Sequence, residues 1–148
     1  MLMGVGMTVG NLLGGRLADI DLRRTLLVGV VGLAVALVLL AATAQWIIAV
    51  AVFVFAVGAI ASTLGPTIQT RLMDVAQDNQ SIAAALNHSA LNIGNSLGAL
   101  LGGVVIAVGW GFRAPAWVGV ILALAGLAIA LTSFAVERAR VPVPAGIR

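Results

Sequence analysis

The chain contains no cysteine, which removes disulfides, thiol nucleophiles and thiolate metal sites from consideration. Lysine is missing too: all eight basic residues are arginine, set singly or in pairs between apolar stretches with few aromatics among them. A net charge of +3 over 148 residues would suggest nucleic acid if the arginines were massed. At this spacing, orientation in a bilayer explains them better, and no nucleic-acid partner is expected. Charge of either sign is scarce. Only 9% of residues are charged against 61% hydrophobic, with a mean hydropathy of +1.16, too little polar surface to cover a soluble globule of this size. The acids are Asp19, Asp21, Asp74, Asp78 and Glu137, each in a connection or at the end of an apolar run, so no carboxylate falls at mid-membrane. A Ser-His-Asp array, a phosphate loop and grouped metal ligands are all lacking, which argues against an enzyme and leaves no cofactor or metal to expect.

What is present is a succession of long apolar runs. They predict an all-α fold, a polytopic transmembrane helix bundle of about four and a half spans. The helices are expected at about 1–15, 25–44, 46–70, 81–108 and 116–136, with a tail over 137–148. At about 1.5 Å per residue the first run is too short to cross a core of about 30 Å, and it reads as the second half of a helix. It lacks the basic start and cleavage site of a signal peptide, while Gly6, Gly10 and Gly14 recur every fourth residue and give it a close-packing face. GRLADIDLRRT then forms a charged turn. The uncharged span 25–44 is expected to face lipid, and Trp46 to sit at the interface. Pro66 lies inside the third span, where it removes a donor and crowds the Ser62 carbonyl, predicting a kink or local unwinding near Gly65. Ser62, Pro66 and Gln69 share a face with Gly58.

The stretch SIAAALNHSALNIGNSLGALLGG, Ser81 to Gly103, is apolar enough to cross a bilayer yet carries amides and an imidazole at helical spacing. At 100° per residue Ser81, His88, Asn92 and Asn95 fall in one sector, with Gly94, Gly98 and Gly102 in a stripe beside it. Lipid offers no hydrogen bonds, so these polar groups are expected to turn toward another helix or a water-filled cavity, and the glycines to pack.

Arg16, Arg23 and Arg24, then Arg71, then Arg138, Arg140 and Arg148 fall on one side if the spans alternate, and Arg113 alone on the other. The positive-inside rule makes the first group cytoplasmic, and with it the C-terminus. GNLLG over 10–14 echoes GNSLG over 94–98, as three-plus-three inverted repeats of a transporter would.

The turn GRLADIDLRR, with Gly15, Asp19, Arg23 and Arg24, resembles the cytoplasmic loop motif of the major facilitator superfamily. Ile20 and Leu22 depart from it, as in the degenerate second copy between the eighth and ninth helices of that family. AALNHSALNIGNSLGALLGG resembles the eleventh helix of its drug and sugar efflux branch, the arabinose-efflux or chloramphenicol-resistance type. The resemblance implies the C-terminal half of a twelve-helix antiporter in the cell inner membrane. Such a protein exports a small molecule in exchange for protons by alternating access, its cavity completed by an N-terminal half that this stretch lacks. The other class of reading is a small non-transporting scaffold that associates with further copies through its glycine faces.

Each candidate residue has two readings. Ser62, Gln69, His88, Asn92 and Asn95 either line a translocation path or merely bond between helices, His88 being the one side chain of a type that changes charge near neutral pH. Ser62 and Thr63 alternatively satisfy carbonyls freed by Pro66. Asp19 with Arg23 and Arg24 forms either a cytoplasmic gating latch or an ordinary solvated, positive-inside turn.

Overall fold

The computed structural model describes residues 1–139 and, within them, every side chain except those at positions 18, 19, 138 and 139. Of the expected tail, residues 140–148 lie outside the described residues. The chain forms α1 (Leu2–Ala42), α2 (Ile47–Ala76), a single 3-10 turn (Gln77–Asn79), α3 (Gln80–Ala107) and α4 (Ala114–Ala139), with no strand among the described residues. Three stretches are long and apolar enough to cross a membrane: Ile20–Thr43, Ile47–Ala107, which comprises α2, the turn and α3, and Ala114–Glu137.

α1 is two helices in series. Helical geometry fails only at Asp21, where the backbone is extended (φ −155°, ψ 92°). The charged turn expected over 15–25 is therefore much shorter. Arg16 to Ile20 contain no glycine or proline, and Arg, Leu and Ala are strong helix formers, so the first limb runs on to the break. Asp21 then caps the second limb: its Oδ1 accepts the N–H of Arg24 at 2.9 Å, the geometry of an N-cap carboxylate on the third helical residue. The Thr25 hydroxyl donates to the Leu17 carbonyl at 2.8 Å and ties the limbs together across the break.

The helices form a ring in which α1 packs on α2 and α4, and α3 on the same two, while the backbones of the diagonal pairs stay apart and α2 reaches α4 only through the Arg71 side chain, among the described residues. Backbone approach holds α1 to α2. A Cβ at Gly6 would overlap the Phe55 carbonyl and one at Gly10 the Ala59 carbonyl. At Gly14 it would lie 2.8 Å from Thr63 Cα, and at Gly58 2.8 Å from the Met3 carbonyl oxygen. The glycine face of the first limb is thus pressed directly on α2. Thr63 seals the seam by donating to the Gly10 carbonyl (3.1 Å) as well as to Ala59 in its own helix (3.0 Å).

The second limb of α1 has a packed face as well as the exposed one expected of span 25–44. Leu26, Ala34, Ala36 and Ala41 are buried, Gly29 faces Leu64 of α2, and Leu37 packs on Gly119 of α4. Its exposed large apolar residues form one stripe, Val28, Val31, Val35 and Leu39. Hydropathy does not distinguish the two faces because lipid is as apolar as the interior. Small residues that permit close approach select the inward face instead.

α2 stays helical from Ile47 to Ala76 through Pro66 and is not unwound at Gly65. Thr67, fully buried, returns its hydroxyl to the Thr63 carbonyl at 2.8 Å. One end of the ring is marked by Arg113 in the α3–α4 connection, whose Nη2 donates to Gln45 in the α1–α2 connection at 3.1 Å. The other carries Asp21, Arg23, Arg71 and Glu137.

Candidate functional site: the open face of α3 and the arginine cluster

α3 meets the rest of the chain along a narrow edge. Its buried residues are Ala83, Asn87 and Val105, whereas every residue from His88 to Leu101 is exposed. His88, Asn92 and Asn95 therefore lie on an open face. Gly94 and Gly98 have nothing within 4 Å of where a Cβ would sit, and Gly102 meets only Pro115 of α4, at 3.7 Å. Ser62 and Gln69 are half-buried on α2. Among the described residues no side-chain hydrogen bond involves any of Ser62, Gln69, His88, Asn92 or Asn95. The polar stripe is thus displayed on a surface of the ring.

Asn87 was not among the candidates. It is 6% exposed, and its Nδ2 has no hydrogen-bond partner. It escapes a stripe-based reading because it stands about 100° round the helix from His88. A donor left unpaired in a buried apolar setting is unfavourable by about 1–3 kcal/mol, so Asn87 marks a polar point inside the α3 contact edge.

At the opposite side of the ring the loop-motif residues separate. Gly15 is exposed with open space around it, and the Asp19 side chain lies outside the described residues. Arg23 stacks its guanidinium on the Phe134 ring of α4, 4.4 Å from the centroid. Arg71, from the end of α2, stacks on the same ring at the same 4.4 Å and also pairs with Glu137 at 3.0 Å. Phe134 is only 2% exposed, so these contacts are shielded from water, and each cation–π pair is worth about 1–2 kcal/mol. The Arg71–Glu137 pair, with side chains 22% and 56% exposed, contributes about 0–1 kcal/mol. The aromatic ring, more than the ion pair, therefore joins α1, α2 and α4 here. Phe134 carries no sequence signal beyond standing one helical turn before Glu137. Among the described residues, no three His, Cys, Asp or Glu side chains group as metal ligands.

A family model described as Major Facilitator Superfamily matches residues 1–148. The chain belongs to this superfamily. Two relatives agree. Over 131 residues the chain is 36% identical to the "Inner membrane transport protein YdhP" of Escherichia coli strain K12, covering 88% of this chain and 33% of that protein. Over 103 residues it is 33% identical to the "Uncharacterized MFS-type transporter YfhI" of Bacillus subtilis strain 168, covering 70% of this chain and 26% of that one. The chain spans a third or less of the length of these relatives. No solved structure matches it. As a major facilitator chain built of long apolar helices, it is a multi-pass membrane protein.

Proposed function

We propose that this chain is part of the C-terminal half of a major facilitator exporter that moves a small molecule by alternating access, coupled to protons, with its C-terminus cytoplasmic. The observation that carries the reading is the open face of α3. It presents an imidazole, two amides and two glycines with room for other helices, in a chain a third the length of its relatives. Polar side chains on a membrane-crossing helix belong against a partner or an aqueous cavity. In this account helices from the other half of the transporter pack beside α3, and His88, Asn92 and Asn95 line the path so formed, with Ser62 and Gln69 contributing from α2. The coupling acid belongs to that other half, because the acids here lie at helix ends. Arg23 and Arg71, clasped on Phe134, keep the cytoplasmic ends of α1, α2 and α4 moving as one body.

The test is reconstitution. The purified chain in liposomes should give no efflux, and the chain joined to the remaining helices of a transporter should give it. Efflux from the chain alone defeats the proposal. The uncovered Gly94 and Gly98 also favour a second reading, a scaffold that self-associates through α3. In that case cross-linking gives a defined oligomer sensitive to Gly98→Leu but indifferent to Asn92→Ala.

A further inference from the structure

Between the two limbs of α1 and the flank of α2 lies a cleft of about 450 Å³, separate from the α3 face. Asp21, Arg24 and Thr25 form its polar mouth, and Val28, Gly29, Gly32 and Ile60 line its apolar length. At the mouth, the Asp21 Oδ1 accepts the Arg24 N–H and the Thr25 hydroxyl is directed to the Leu17 carbonyl. Among the described residues that line this opening, Arg24 is the cationic one and stands beside the acidic Asp21.

The cleft has the dimensions of one leaflet. Asp21 stands beside Ile20, where the first membrane-capable stretch begins. From Asp21 to Gly32 the second limb climbs about 16 Å at about 1.5 Å per residue, roughly half of a hydrocarbon core about 30 Å thick. The mouth is therefore at the bilayer boundary and the far end of the cleft near the midplane. Glycine keeps the slot open, since a Cβ at Gly32 would come into ordinary contact with Ile60 Cδ1 at 3.7 Å and any longer side chain would extend into the space.

The geometry points to a phospholipid site: the phosphate of a lipid in the adjacent leaflet meets Arg24, and one acyl chain lies along Val28, Gly29, Gly32 and Ile60. A cation at the membrane surface complements a phosphate, and an apolar trough ending at mid-bilayer accepts a chain. Occupied, the slot wedges the two limbs of α1 apart at the Asp21 break.

The experiment uses the full chain in phosphatidylcholine nanodiscs doped with an anionic phosphatidylglycerol that carries a diazirine midway along one acyl chain. After irradiation and proteolysis, adducts should concentrate at 29–32 and 60–63 relative to Ile121 and Ile129 on the exposed flank of α4. Arg24→Gln should reduce that excess about fivefold, the effect of one surface arginine. Gly32→Leu should abolish it with helicity retained by circular dichroism, and Arg113→Gln, at the other end of the bundle, should leave it unchanged. Adducts no denser in the cleft than on α4, or an excess insensitive to Arg24→Gln, overturn the assignment. So does Val28→Cys giving disulfide-linked dimers with the cleft unlabelled, which would identify a second copy of the chain as the occupant.

Discussion

Arg23 sits over the ring of Phe134, its guanidinium carbon 4.4 Å from the centroid, and Arg71 lies over the same ring at the same distance. Two like charges are thereby drawn to one buried ring, which ties the start of the second limb of α1 and the end of α2 to α4. Glu137, one turn further along α4, offsets part of the charge through Arg71.

Replacing the ring should matter more than replacing the acid. Phe134→Leu keeps an apolar filling but removes both cation–π contacts and should destabilise the bundle by about 2–4 kcal/mol. Glu137→Gln should change stability by about 1 kcal/mol or less. Thermal unfolding in detergent, followed by circular dichroism, separates the two; equal losses would place the ion pair on a par with the ring.

The glycines of the first limb and those of α3 share a spacing but should differ sharply in tolerance. Gly10→Ala drives a methyl into the Ala59 carbonyl and should destabilise the chain by about 1–3 kcal/mol. Gly94→Ala meets nothing within 4 Å and should be neutral or slightly stabilising, because alanine favours helix by about 1 kcal/mol over glycine. Melting temperatures of the two variants of this chain give the comparison directly.

The break in α1 depends on a cap. Asp21→Ala removes the acceptor for the Arg24 N–H and should weaken the start of the second limb by about 1 kcal/mol. Hydrogen exchange over 22–25 should then quicken, while Asp21→Asn, still able to accept, should stay close to the original. Unchanged protection in the alanine variant would show that Thr25 and tertiary packing hold the limb without the cap.

These contrasts show which parts of the molecule its sequence made legible. Apolar runs and their separations gave the helices, because length against bilayer thickness is a strong constraint. Gly6, Gly10 and Gly14 revealed a packing face, and α2 occupies it. The same spacing at Gly94 and Gly98 announced capacity for contact but could not name the partner, and within this chain there is none among the described residues. The inward face of the second limb of α1 was not legible, because a uniformly apolar helix has no hydropathy contrast to show which side turns inward. Asp21 looked like one more charge in a turn, since a cap depends on where the helix restarts. Phe134 and Asn87 were invisible for a related reason: their importance lies in neighbours on other helices.

The proposed function requires the polar stripe of α3 to border an aqueous path in the assembled transporter. These 148 residues hold no cysteine, so once any cysteines elsewhere in the gene product are replaced, one thiol at Asn95 can be read without background, with another at Ile93, about 200° away on the same helix, as the reference. In membranes from cells making the native gene product, a membrane-impermeant, water-soluble maleimide should modify Asn95→Cys and spare Ile93→Cys. Modification of Asn95→Cys by a lipid-soluble maleimide alone would put that position against acyl chains and contradict the account.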